Sequence, residues 1–144
     1  MDSKSENDGR IPRIGEIYQM HFEGTDSEQS GWRPGLVFQN NIGNIHSPNL
    51  IALPLTSSLK KLQMPTHVLL RASDTGLQRD SVVICENPVC ISKSKLGRYI
   101  TKLSSTDMRR IAVASMLATS AIAFVDIASL QSIRERAIRM NNSS

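Results

Sequence analysis

The sequence is poor in the side chains from which metal centres, disulfides and most hydrolase sites are built. Its 144 residues include two cysteines and three histidines. Cys85 and Cys90 have no cysteine or histidine partner at metal-ligand spacing, so we expect free thiols rather than a disulfide or a metal site. There is no Ser/His/Asp set in a motif context, no glycine-rich phosphate loop and no cluster of carboxylates for a catalytic metal. Most classes of hydrolase are thereby excluded, and no cofactor is expected.

The chain also lacks a long uninterrupted apolar run. Residues 1–10 are polar and mixed in charge, without the apolar core of a secretory signal. The stretch 111–128 is rich in apolar residues, but Ser115, Thr119 and Asp126 interrupt it, and an aspartate in mid-membrane costs about 3 kcal/mol. We therefore expect a cytoplasmic protein without a membrane span, in which this stretch forms a buried or interface helix.

Length and charge indicate one small domain with an anionic partner. A domain of this size buries about two-thirds of its unfolded surface and folds without metals or disulfides. The formal net charge is +4 and the sequence pI is about 9.4. This charge favours nucleic acid or an acidic peptide as the partner.

The hydrophobic pattern predicts a mainly β domain, α+β by content. Residues 1–13 are interpreted as a disordered lead and residues 14–124 as one domain. Short runs rich in Val, Ile, Leu and aromatic residues predict strands at 14–22, 35–39, 50–55, 66–70 and 80–85. Turn-forming clusters at 40–44 and 73–76 lie between them. Closely spaced short strands are typical of a small barrel.

The segment after the strands predicts a helix. A short turn is expected near 92–96, and Ser104-Ser105-Thr106-Asp107 then has the spacing of a capping box. Residues suited to one packed face recur behind it at helical period, namely Met108, Ile111, Ala112, Met116 and Thr119. One face of this C-terminal helix is expected to pack against the barrel or a second subunit.

Two polar features at strand ends are the candidates for chemistry. The polar loop 23–33 is too long for a tight hairpin and delivers Arg33 and Pro34 to an apolar strand. Arginine offers a planar, permanently charged fork for phosphate, and proline fixes the backbone beside it. Further on, Thr56 and Ser57 place hydroxyls where a strand leaves the core. From the residues alone, an ordinary surface charge and a strand-ending turn are the alternative interpretations.

Four motifs occur in order along the chain. The first reads DSEQSGWRP over residues 26–34 and LVFQN over 36–40. The second is PLTS at 54–57 and the third is PTHV at 65–68. The fourth is DSVV at 80–83, followed by CEN at 85–87. In their order and spacing, over about residues 15–124, they resemble the motifs of the MazF/PemK toxins.

The resemblance implies an SH3-like small barrel of the MazF/PemK/CcdB kind and a homodimer with single-stranded RNA lying across its interface. It also implies a sequence-specific endoribonuclease toxin that cuts mRNA without a metal and is neutralised by a cognate antitoxin. Family residues carry over to Arg33 and Thr56 as the catalytic pair, with Ser57 assisting. In such cleavage the RNA 2′-hydroxyl attacks the neighbouring phosphate and leaves a 2′,3′-cyclic phosphate and a 5′-hydroxyl. The enzyme supplies alignment, proton transfer and charge stabilisation.

Weaker candidates come from the same motifs: Ser27, Glu28, Gln29, His67, Glu86 and Asn87. The polar side chains of the first loop either match donors and acceptors that single-stranded RNA exposes, or stay solvated. His67 is either a packed, hydrogen-bonded strand residue or a catalytic group. Glu86 and Asn87 either bind RNA or brace the site. Trp32 either stacks on a base or covers the mouth of the barrel.

The chain continues past the point where the last helix of this family commonly ends. In this tail, 125–144, apolar residues recur at near-helical spacing, and Arg134, Arg136 and Arg139 supply positive charge. The tail either extends the final helix and adds phosphate contacts to RNA, or frays in solvent.

A second functional class is left open by the sequence. It is a non-catalytic barrel that resembles the CcdB toxins, which bind a topoisomerase, or a peptide-binding module of the same fold. Retention of both Arg33 and Thr56 favours the nuclease.

Overall fold

The computed structural model describes residues 3–23, 31–59 and 64–142. The strands of these residues are β1 (Glu16–Phe22), β2 (Gly31–Val37), β3 (Asn49–Thr56), β4 (His67–Leu70), β5 (Ser81–Ile84), β6 (Val89–Ser92) and β7 (Leu96–Lys102). The α-helices are α1 (Asn41–His46), α2 (Ala72–Thr75), α3 (Ser105–Thr119) and α4 (Leu130–Asn141). Short 3-10 helices occupy Ser3–Ser5, Lys93–Lys95, Ala121–Phe124 and Ile127–Ser129.

The strands form one antiparallel sheet in the order β4-β5-β3-β2-β1-β7. β6 pairs with the first half of β3 and β5 with its last two residues, so these two strands share one side of β3. Within the described residues, the outer strands β4 and β7 do not pair with each other. The prediction of a mainly β, barrel-like fold with a C-terminal helix is confirmed, and the sheet is open rather than closed.

Both faces of the central strands are buried. Successive residues alternate between two apolar clusters, with Ile17 and Leu36 in the first and Tyr18 and Val37 in the second. Helix α3 adds Ile111 to the first cluster. This burial on both faces explains why the strands appear in the sequence as nearly continuous apolar runs.

The two cysteines are unbridged. Cys85 is buried in the first cluster and Cys90 is exposed on β6. Burial raises the pKa of the Cys85 thiol to about 11. The buried thiol therefore stays protonated at neutral pH and behaves as a small apolar side chain.

Helix α3 begins where the capping box predicts. The Ser104 Oγ accepts a hydrogen bond from the backbone N–H of Asp107 at 3.2 Å. One of the backbone donors left unpaired at a helix N-terminus is thereby satisfied.

The packed face of α3 is shorter than predicted. Met108, Ile111 and Ala114 contact the first apolar cluster at i, i+3 spacing. Met116 and Thr119, which were expected on the same face, are exposed. The buried positions end at Ala114, so only the first part of the helix packs on the sheet.

The apolar stretch 111–128 does not form one helix. α3 ends at Thr119, Ser120 adopts a left-handed backbone conformation with φ 56°, and short 3-10 helices follow. In the three described ranges, no helix has both the length and the hydropathy of a membrane span.

The sequence pattern misses β6 and β7, since it predicts only a turn near 92–96. β6 has four residues, and β7 contains Gly97, Arg98 and Lys102, so neither strand presents a long apolar run. Their strand conformation depends on pairing with β3 and β1, which are distant in sequence.

The turn clusters at 40–44 and 73–76 form parts of short helices. Asn40 caps α1, because its Oδ1 accepts a hydrogen bond from the backbone N–H of Gly43 at 2.9 Å. Gly76, with φ 82°, is the left-handed residue that ends α2. Asn and Gly serve both turns and helix ends, which is why the sequence does not separate the two.

The tail contains a separate helix rather than an extension of α3. The Asn141 backbone oxygen accepts hydrogen bonds from Asn41 Nδ2 at 2.7 Å and Arg13 Nη2 at 3.1 Å. The Asn141 Oδ1 accepts a third from the Asn41 backbone N–H at 3.2 Å. Residues 130–139 are exposed, so α4 is attached to the domain chiefly through its last turn.

Replacing the capping hydroxyl of α3 tests how much this helix start stabilises the domain. Ser104→Ala should lower the free energy of unfolding by about 1 kcal/mol, because the N–H of Asp107 loses its partner. Ser105→Ala, one residue further on, should change it by less than about 0.5 kcal/mol. Urea denaturation of both variants measures the difference, and equal effects would contradict a capping role for Ser104.

Candidate active site

The pairing of β2 with β3 brings the start of one strand beside the end of the other. The ladder joins Gly35 to Pro54, and the same register counted two residues further brings Arg33 level with Thr56. Pro34 and Pro54 have no backbone N–H to donate, and the pairs of this ladder end at Gly35 and Pro54. A cavity of about 350 Å³ opens where the ladder stops.

The cavity is strongly cationic. Its walls contain Arg33, Arg79, Arg98 and Lys4, and none of its described lining residues is acidic. Four like charges around one cavity repel each other, so the binding of a polyanion there relieves the repulsion.

Arg33 has an incomplete set of hydrogen bonds. Its Nε and Nη1 atoms are buried and have no hydrogen-bond partner among the described residues. A buried donor without a partner costs about 1–3 kcal/mol, and more when it is charged. An anion that entered the cavity would supply the missing acceptors, and a phosphate matches the planar guanidinium geometry.

Thr56 both ends β3 and lines the cavity. Its Oγ1 accepts a hydrogen bond from the backbone N–H of Ser58 at 3.1 Å, which forms the turn that ends β3. The same side chain lines the cavity beside the exposed Ser57. Since a hydroxyl has one donor and two acceptor positions, the Thr56 proton can still be donated into the cavity.

Trp32 also lines the cavity, next to Arg33 on β2. Its ring contacts the ring of His21 edge to face, with centroids 5.3 Å apart. This contact with β1 holds the indole against the sheet at the cavity wall.

His67 and Glu86 do not line the cavity. His67 Nε2 lies 2.5 Å from Glu86 Oε1, and Thr66 Oγ1 donates to Glu86 Oε2. The His67 side chain is fully buried at the start of β4. The structure therefore places His67 as a packed, hydrogen-bonded strand residue, and Glu86 braces it.

The contacts of Glu86 set its protonation. Burial by itself raises the pKa of this carboxyl, but the hydrogen bonds from Thr66 and His67 and the charge of His67 outweigh it. The net pKa lies below the ordinary value of 4.5. Glu86 is therefore ionised at neutral pH and acts as an acceptor.

The other sequence candidates fall in two places. Asn87 lies in the turn between β5 and β6, where its backbone N–H donates to the Ile84 oxygen at 3.3 Å. Ser27, Glu28 and Gln29 lie outside the described residues. Within the described ranges, no group of three His, Cys, Asp or Glu side chains could hold a metal ion.

Several residues of the cavity were not predicted from the sequence: Lys4, Gln19, Gln78, Arg79, Ser81 and Arg98. Arg98 lies on the unpredicted strand β7, and Lys4 lies in the segment interpreted as a disordered lead. The aromatic and β-branched residues beside Arg98, at positions 99–101, were the signal that could have indicated a strand there.

The fold and the cavity together define a small barrel-like protein with a cationic cavity. Residues 13–118 match the family described as the PemK-like, MazF-like toxin of type II toxin-antitoxin systems. The chain belongs to this family.

Individual relatives agree with this assignment. The chain is 40% identical to endoribonuclease EndoA of Bacillus subtilis over 98 residues, which cover 68% of this chain and 84% of that protein. It is 34% identical to endoribonuclease MazF of Staphylococcus saprophyticus over 100 residues, which cover 69% of this chain and 83% of that protein. A solved endoribonuclease from a mycobacterial species, in complex with its cognate antitoxin, superposes with a TM-score of 0.64 at 27% identity. The superposition covers 76% of this chain and 96% of the mycobacterial chain.

The hydrogen bond from Thr66 to Glu86 allows a test of the contacts that Glu86 makes with Thr66 and His67. Thr66→Val should raise the pKa of Glu86, because the carboxylate loses a donor that favours its charged form. Carboxyl-carbon NMR titration measures the change, and Thr101→Val on β7 serves as the control. An unchanged Glu86 pKa in Thr66→Val would show that the contact does not form.

The same change has a consequence for stability. Because the folded-state pKa of Glu86 is depressed, its stabilising contribution is present above the unfolded pKa and is lost as pH falls through the folded pKa. The difference in Tm between the parent and Thr66→Val should therefore be largest above pH 4.5 and shrink below it.

Proposed function

We propose that this protein is a metal-independent endoribonuclease toxin that cuts single-stranded mRNA in the cavity of Arg33 and Thr56. The observation that carries the proposal is a pair of buried guanidinium nitrogens without a partner among the described residues, in a cavity with three further cations. Membership of the toxin family makes the protein an endoribonuclease of a type II toxin–antitoxin system.

The chemistry follows from the residues at the cavity. The RNA 2′-oxygen forms a bond to the adjacent phosphorus while the bond from phosphorus to the 5′-oxygen breaks. The 2′-hydroxyl loses its proton and the 5′-oxygen gains one, so the products are a 2′,3′-cyclic phosphate and a 5′-hydroxyl. Arg33 neutralises the charge that builds on the phosphate oxygens, and its fixed position means that little reorganisation is needed.

Thr56 and Ser57 place hydroxyls against the same phosphate. Thr56 donates a hydrogen bond to a phosphate oxygen or to the attacking group and so aligns the 2′-hydroxyl for in-line attack. Arg79 and Arg98 line the same cavity. They supply further charges for backbone phosphates, which fix the RNA without reading its bases.

The partners follow from the same charge distribution. The mycobacterial relative was solved with its cognate antitoxin, and we infer an antitoxin for this protein as well. An acidic segment of that antitoxin suits the cationic cavity and would exclude RNA from it. The protein acts in the cytoplasm as a homodimer with RNA across the interface, as the resemblance implies.

A non-catalytic barrel of the CcdB kind is not favoured. The relatives reported above are named endoribonucleases. The joint presence of Arg33 and Thr56 at one cavity also supports catalysis, because a purely binding surface does not need a hydroxyl beside a phosphate-binding guanidinium.

Substitution of the catalytic pair tests the proposed site. Arg33→Ala and Thr56→Ala should each reduce cleavage of a long single-stranded RNA at least about 100-fold in excess chelator, the loss expected for one transition-state donor. Circular dichroism and Tm confirm that each variant is folded. Arg71→Ala, which removes an exposed arginine outside the cavity, should cut at the parental rate. Parental rates in both site variants would refute the assignment.

The exposed apolar residues of α3 lead to a test of the homodimer. Val113 and Leu117 are one turn apart on α3 and are 59% and 54% exposed, so they form a contiguous apolar strip on the helix. The protein should sediment as a dimer at micromolar concentration, and Leu117→Asp should shift it towards monomer. Gln131→Asp, on the polar side of α4, is the control. A parent that sediments as a monomer and still cuts RNA at full rate contradicts a composite RNA groove.

A further inference from the structure

The N-terminal segment Ser3–Arg10 precedes the part of the chain that matches the toxin family, yet one of its residues lines the cavity. We propose that this segment forms a wall of the RNA site and that Lys4 binds a backbone phosphate of the substrate. The inference rests on the proposed function, since it takes RNA as the ligand of the cavity.

The segment is seated on β7 by a close backbone approach at Gly97. A Cβ atom at this position would lie 2.0 Å from the Lys4 carbonyl oxygen and 2.9 Å from the Gln19 carbonyl oxygen. Only glycine leaves room for the backbones of β1, β7 and the N-terminal segment to meet here. The Lys4 backbone is therefore held against the sheet beside the cavity.

Two further contacts hold the rest of the segment. Asn7 Nδ2 donates a hydrogen bond to the Gly97 oxygen at 2.8 Å. The Arg10 guanidinium lies over the ring of Tyr99, 3.8 Å from its centroid, and pairs with Glu16 at 3.2 Å. Gly97 and Tyr99 flank Arg98, which itself lines the cavity. The two β7 residues that hold the segment, Gly97 and Tyr99, are therefore the direct neighbours of the cavity residue Arg98.

The position of Lys4 defines its role. Its side chain is exposed and lines the cavity with Arg33, Arg79 and Arg98. A lysine ammonium is a compact charge on a flexible stem with three donors, which suits a phosphate at the rim better than the reacting phosphate. Lys4 therefore contributes to RNA affinity, while Arg33 and Thr56 contribute to the chemical step.

Binding of an RNA with 2′-O-methyl riboses, which cannot be cut, measures this contribution directly. Lys4→Ala should weaken binding roughly two- to fivefold, as for one exposed charge contact. The slope of log affinity against log salt should fall in magnitude by about 0.7, the value for one phosphate contact to a single strand. Lys102→Ala removes an exposed lysine of β7 outside the cavity and should leave both quantities unchanged.

Cleavage kinetics separate a binding role from a structural one. Lys4→Ala should raise KM by the same factor and leave kcat unchanged. Asn7→Ala, which releases the segment from Gly97, should have a similar effect and should add little in a Lys4→Ala background, because Asn7 acts by positioning Lys4.

The outcomes distinguish this inference from the proposed function. If the parent does not cut RNA, the proposed function fails, and the binding measurements still test Lys4. If the parent cuts RNA but Lys4→Ala matches Lys102→Ala in affinity and salt slope, the inference about Lys4 is wrong. Tighter binding or faster cleavage by Lys4→Ala would also overturn it, because the segment would then obstruct the site.

Discussion

The antiparallel register between β2 and β3 is the constraint on which the site depends. It is fixed by the apolar core, because Leu36 and Val37 enter opposite clusters and a slip of one residue would exchange them. Counted beyond the last pair of the ladder, the same register places Arg33 opposite Thr56, and both residues line the cavity. The geometry of the candidate site is therefore maintained by apolar packing, which also keeps two donors of Arg33 buried without partners among the described residues.

The sequence predicts four of the strands well because their apolar runs are local signals. β1, β3, β4 and β5 lie within two residues of their predicted bounds, whereas β2 begins at Gly31, four residues before the predicted start at Gly35. Pro34 and Gly31 are strand breakers in isolation, but pairing with β1 overrides that tendency. β6 and β7 were missed because only tertiary pairing makes them strands.

The candidate site was predictable only in part for a similar reason. Arg33 and Thr56 stand next to strand ends within a recognisable motif, so the sequence identifies them. Arg79, Arg98 and Lys4 come from three other parts of the chain, and nothing local marks them as neighbours. Conversely, His67 occurs in a motif, and the fold buries its side chain against the partly exposed Glu86, away from the cavity.

The attachment of α4 chiefly through its last turn has a consequence for how this protein can change over evolutionary time. The helix lies beyond the family region, and its described bonds to the domain are made by Asn141 with Asn41 and Arg13. Substitutions along its exposed residues leave the apolar clusters untouched. The sequence of this helix can therefore change without disturbing the packing of the sheet.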